Sequence, residues 1–207
     1  MVRPFRLTCA IALTLHMTSC GRQHPVPPEN PPATEVNQAK PPPPPSMDEL
    51  KAMTALAAQG AQALPTLSAQ PDLHHGATWY QGQVPADGST AYLYLGKLGE
   101  TGASTLRFVI RHEGKQRADL TNCTVIVDGT EVGSFSPALN RVDQPADGVR
   151  QLADIHFDDV QSVVLTMIDG QSAVIRTADG KEIRLGRAEL DEMRRVLSAY
   201  LHLQAQP

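Results

Sequence analysis

Three groupings of side chains in this 207-residue chain have the atom types for chemistry. Cys123 with His112 or His156 is a thiol and imidazole set of the kind used for nucleophilic attack. A reactive thiolate needs a cationic neighbourhood or a helix N-terminus, whereas Cys123 opens the strand-like run Thr124-Val125-Ile126-Val127, so it reads as a buried, inert thiol. His74-His75 could begin a metal site, but adjacent residues point in different directions and no third ligand follows at suitable spacing. A solvated linker is the better reading, with no metal expected. Asp158-Asp159 is a carboxylate pair that stands directly before a helical pattern, where capping and the helix dipole account for it. The chain contains no Gly-rich phosphate loop, H-E-x-x-H, C-x-x-C or G-x-S-x-G. No enzyme activity, catalytic residue or cofactor is expected from these residues.

Two further groupings suit recognition. Tyr92 and Tyr94 alternate with Leu93 and Leu95, so leucines facing a core would leave the tyrosines on the other face as a platform for protein or glycan contact. Tyrosines packed under the C-terminal helix are the alternative. Trp79-Tyr80 belongs to a preceding strand. Arg107 and Arg111 share the polar face of another strand, where they either pair with carboxylates of a partner or are simply solvated. Tyr92, Tyr94, Arg107 and Arg111 are therefore the candidate partner-binding residues. Nucleic acid is not an expected partner, because the formal charge is −4 and no stretch has the Lys/Arg density that phosphate binding needs.

The N-terminus carries a different chemistry. Arg3 and Arg6 precede a mostly apolar run from Leu7 to Met17, and Met17-Thr18-Ser19-Cys20 closes it with small residues before a cysteine. Eleven residues make a helix of roughly 16 Å, against roughly 30 Å of hydrocarbon, so the run is an export signal rather than a span. These residues resemble the lipobox of bacterial lipoproteins, with Met17 standing where that motif prefers Leu. The resemblance implies that Cys20 becomes the acylated first residue of the mature chain, and Gly21 after it implies the outer membrane of a Gram-negative cell, facing the periplasm. The lipid bilayer is then the first partner, reached through Cys20. Removal of the leader takes two of the 18 basic residues, leaving 16 against 22 acids, a net charge of −6 that keeps the body off anionic headgroups. Cys9 leaves with the leader and Cys20 is lipidated, so Cys123 has no disulfide partner.

The elements that must position these residues follow from the pattern. Residues 1–19 are the leader and 20–45 a Pro-rich disordered spacer, with ten prolines between Pro25 and Pro45. Extended as polyproline II, those residues reach roughly 65 Å, a stand-off from the membrane. Residues 46–64 read as a short helix opened by the capping box Ser46-Met47-Asp48-Glu49, whose thin Ala-rich stripe leaves three alternatives, packing on the domain, pairing with a copy of itself or a marginal helix within the tether, with Gly60 and Pro71 favouring loose attachment. Residues 65–76 are a linker, and 77–203 a β-rich globular domain.

Within that domain Asp-Gly occurs five times, and two copies sit between good strands: 124–127 with 130–135, and 173–177 with 182–185. Leu106, Phe108 and Ile110 alternate with Arg107, Val109 and Arg111 as a half-buried strand. Val160, Val163, Val164, Met167 and Ile168 take helical spacing behind a cap at Asp158 or Asp159, and Leu190, Met193, Leu197, Tyr200 and Leu201 line one face of a final helix. The fold class is α+β: a mainly antiparallel sheet with a short internal helix and a C-terminal helix. This arrangement is similar to small domains of bacterial surface lipoproteins, a likeness without a diagnostic motif that transfers no functional residue. The function expected is a lipid-anchored envelope protein presenting a non-enzymatic binding domain to a protein or cell-wall partner. The alternative is a periplasmic inhibitor or immunity lipoprotein acting on a wall-degrading enzyme through a protruding loop at Ser136–Val149.

Overall fold

A computed structural model describes residues 47–99, 104–137, 139–145 and 148–206. The leader, Cys20, the Pro-rich segment and the Ser46 capping box lie outside the described residues. The chain is α+β. Helix α1 (Met47–Ala63) and a 3-10 turn (Leu64–Thr66) lead into strands β1 (Ser68–Asp72), β2 (Ala77–Gln81), β3 (Thr90–Leu98), β4 (Ser104–Gly114), β5 (Cys123–Val127), β6 (Thr130–Phe135), β7 (Leu139–Asp143) and β8 (Val149–His156). Helix α2 (Phe157–Asp169), strands β9 (Ala173–Thr177) and β10 (Glu182–Leu185), and helix α3 (Arg187–Gln204) complete it. Two sheets form, in the orders β1-β2-β3-β4-β8-β7 and β10-β9-β5-β6, with every pair antiparallel.

Both Asp-Gly hairpins stand where their sequences put them. At the first, Asp128 and Gly129 take φ of 49° and 85°, the left-handed pair that a two-residue type I′ turn requires. Asp128 fits for a second reason: its carboxylate accepts from the backbone N–H of Gln171 and of Ser172 and from the Ser172 hydroxyl, tying the hairpin to the loop after α2. Those bonds, the Gln171 N–H first, hold its acid strength above that of an ordinary aspartate.

The inward residues of both sheets share one core. Leu93, Leu95, Phe108 and Ile110 of the first sheet pack in the same cluster as Val125, Ile175, Ile183 and Leu185 of the second. Helix α2 bridges the sheets by touching β4 and β8 on one side and β5 and β6 on the other, and α3 does the same with β3, β4 and β10. Arginines of α3 close the C-terminal end of α2: Arg187 donates to Gly170 O at 2.7 Å, and Arg194 donates to Ile168 O and, at 3.1 Å, to Asp169. Among the described residues no helix is long and apolar enough to cross a membrane.

Four expectations are corrected. The supposed linker 65–76 holds the 3-10 turn and β1, whose five residues pair with Ala77–Gln81. Gly60 does not loosen α1, because it is the point at which α1 closes onto α3: a Cβ there would stand 2.1 Å from Ser198 O. Asp158 and Asp159 do not cap α2; the N-cap residue is His156, without a side-chain bond, and both acids lie in the first turn, where the dipole favours them. Finally, the segment Ser136–Val149 is not one protruding loop, since 139–143 is strand β7 at the edge of the first sheet.

Candidate functional site

Register places the four candidate residues on one face. Tyr94 lies opposite Arg107, Tyr92 opposite Val109, and Thr90 opposite Arg111, and residues directly opposite in an antiparallel pair point the same way. Leu93 and Leu95 point the other way and are 1% and 0% exposed. The tyrosines therefore face out from the core rather than lying under α3. On the neighbouring strand Asp154 comes opposite Val109 and His156 opposite Arg107, and β2 adds Trp79 opposite Gly96. Trp79, Tyr92 and Tyr94 are all half-buried.

The rings of Tyr94 and Trp79 are fixed rather than free. Tyr94 Oη donates to Asp154 Oδ2 at 2.7 Å, and Arg107 Nε donates to Oδ1 of the same carboxylate at 2.8 Å while its Nη2 reaches the Asp154 carbonyl at 3.0 Å. Desolvation, then this contact with Asp154, pushes the Tyr94 phenol well above its ordinary range; burial raises Tyr92 as well. The Trp79 ring meets Tyr94 edge to face at 5.5 Å and 67°. Its six-membered ring also lies across Gly96, where a Cβ would come within 2.4 Å of Cζ3. The glycine thus acts as a seat for the indole. At the edge, Asp72 Oδ2 accepts from Trp79 Nε1 at 3.5 Å and contacts His75 Nδ1 at 2.9 Å.

The arginines differ from expectation in what they hold. Arg107 is spent on Asp154. Arg111 donates through Nε to Gly88 O at 3.0 Å and through Nη2 to Pro85 O at 2.5 Å, so it pins the loop between β2 and β3. Glu113 completes that corner, accepting from Gly88 N at 2.7 Å and from Arg150 Nε at 2.6 Å. These guanidinium groups brace the face.

The other groupings stay apart. Cys123 is fully buried and desolvation pushes its thiol up to about 11, so little thiolate forms near neutrality. His112 is engaged by Ser89 Oγ at 3.2 Å and by Gln116 O at 3.1 Å, and His156 is exposed on the open face. His74 and His75 sit in the β1–β2 turn, with both backbone N–H groups on Asp72. Among the described residues no group of three or more His, Cys, Asp or Glu is placed to hold a metal.

The residues that sequence reasoning missed are Asp154, Gly96 and Asp72. Gly96 had a signal, a glycine inside a strand next to aromatics, which marks close approach of something large. Asp154 had none, because β8 does not alternate cleanly. Compared with known proteins, the chain matches no family model, no curated protein and no solved structure.

Proposed function

We propose that this chain is a lipid-anchored envelope protein whose domain presents the open face of its six-stranded sheet to a protein or cell-wall partner. The observation that supports it is the state of the aromatics on that face. Trp79, Tyr92 and Tyr94 lie together, half-buried, opposite the face that the core and helices take up, and Tyr94 and Trp79 are held by Asp154, Arg107 and Gly96. Rings already fixed in place lose little rotamer freedom on binding, so more of their contact energy reaches affinity. Aromatic side chains in such positions carry most of the energy of an interface. The anchoring half of the proposal rests on the resemblance of Met17-Thr18-Ser19-Cys20 to a lipobox.

Two measurements test the halves separately. Mass spectrometry of the mature N-terminus is expected to find acylated Cys20, and Cys20→Ala to accumulate the uncleaved precursor; a processed, water-soluble product from that variant would sink the anchor. For the face, Tyr92→Ala with Tyr94→Ala is expected to lower capture of cross-linked envelope partners at least tenfold. Arg176→Ala, on the outward face of the second sheet, should leave capture unchanged. A folded double variant that captures as well as the parent protein would remove the face from the proposal. Reversing Arg107 is the wrong test, because a glutamate there would press against Asp154 and measure stability instead.

A further inference from the structure

The described residues have four exposed large apolar side chains: Met47 at 69%, Leu50 at 44%, Leu73 at 89% and Leu98 at 54%. Exposed leucines scattered singly need no explanation. These four are not scattered, because topology brings all of them to one end of the domain. Asp72, Ala77 and Leu98 stand in one row across β1, β2 and β3, so Leu73, the residue after Asp72, and Leu98 end the same side of the sheet.

Helix α1 starts at that side as well. Ser104, opposite Lys97, receives two bonds from Gln204 in the last turn of α3, so α3 ends there. Helix α1 runs antiparallel to α3, with Thr66 near Asp191 and Gly60 against Ser198 and His202. At 1.5 Å per residue, Met47 lies about 20 Å beyond Gly60 in the direction of the α3 C-terminus. The other end of α1 leads to Ser68, which pairs with Gln81 at the far end of the sheet. The chain preceding Met47 therefore joins the domain at the end that carries the exposed large apolar side chains found among the described residues.

We infer that this end is a seat for the surface of a neutral phospholipid bilayer. The inference rests on the proposed anchor at Cys20. Met47 and Leu50 on α1, Leu73 in the turn after β1 and Leu98 at the end of β3 stand on three separate segments, so a broad surface rather than a peptide in a single groove is the occupant that suits them. The segments at this end carry both signs, Lys51 and Lys97 with Asp48, Glu49, Asp72, Asp158 and Asp159, and no basic patch among the described residues, so the attraction is apolar rather than electrostatic. Twenty-six residues, Gly21 to Ser46, separate Cys20 from Met47. A link of that order holds the domain at a local concentration on the order of millimolar, enough for four small apolar contacts to matter. The strands of the first sheet then stand up from the bilayer and its aromatic face looks sideways, open to a partner.

The test uses the full mature protein on phosphatidylcholine vesicles, with intact mass reporting acylation and amide hydrogen exchange reporting contact. With Cys20 acylated, exchange at 47–50, 73–76 and 97–99 is expected to slow at least threefold relative to detergent solution, while 86–89 and 143–145 at the far end stay unchanged. Leu73→Ser with Leu98→Ser should abolish the slowing at 73–76 and 97–99 while the protein remains on the vesicles. Acylated protein with unchanged exchange at all three segments would overturn the seat and leave the anchor standing. A mass without acyl chains would overturn the anchor and with it the basis of the seat. Slowing that disappears when each vesicle carries a single copy would assign the apolar end to contact between copies, and would also overturn the inference.

Discussion

Replacing Gly60 by leucine is expected to detach α1 from α3 and to lower the unfolding free energy by about 3 kcal/mol or more. Even the first added carbon has no room: a Cβ would stand 2.1 Å from Ser198 O and 2.4 Å from His202 Cβ, and the first of these is backbone inside a helix. Relief requires one helix to move away. Leu56, 7% exposed, then loses its cover, as do the partly buried Met53, Ala57 and Ala63 that pack on the same core. The neighbouring Ala58 is exposed, so Ala58→Leu should stay within about 0.5 kcal/mol of the parent. Urea unfolding of the two variants decides the matter. Equal midpoints would mean that α1 contributes nothing to the fold. A chain cut to begin at Ala77 should fail in the same direction, since it lacks α1, β1 and the buried Leu67.

That first segment shows what local reading can and cannot reach. Hairpins 124–135 and 173–185, the alternation along β4 and the stripe of α3 were legible, because each is set by residues within one or two turns or strands of one another. The docking of α1 was not. In sequence its stripe is thin and Gly60 counts only as a propensity penalty; its merit is a close approach to a residue well over a hundred positions downstream. The outward aromatic face was legible through the Tyr92 and Tyr94 alternation, yet what locks it was hidden in β8. There the expected pattern inverts: Gln151 points inward and is 2% exposed, while Leu152, opposite Arg111, shares the open face. A polar residue inside and a leucine outside erase the period of two. For the same reason the charge on Arg107 and Arg111 looked free, since neither Asp154 nor the Pro85 and Gly88 carbonyls could be placed beside them.

The inverted position carries the second large effect. Gln151→Leu is expected to cost about 2–4 kcal/mol despite its apolar gain, because Gln151 serves both backbone groups of one residue: Oε1 accepts from Ala118 N at 2.6 Å and Nε2 donates to Ala118 O at 3.1 Å. Ala118 is itself 5% exposed, so neither group regains water when the amide is removed. The segment affected is the crossing from β4 of the first sheet to β5 of the second. Next to Gln151, on the opposite strand, His112 contacts Gln116 O at 3.1 Å, so two adjacent side chains from two strands grip one connection. If they act as one clasp, breaking either should slacken the other. His112→Leu with Gln151→Leu is then expected to cost less than the sum of the single losses by about 1 kcal/mol. Urea midpoints with an unchanged m-value would measure this. Strict additivity, within about 0.3–0.5 kcal/mol, would show instead that the crossing is held at two independent points, each exchanging a buried backbone group for a side chain.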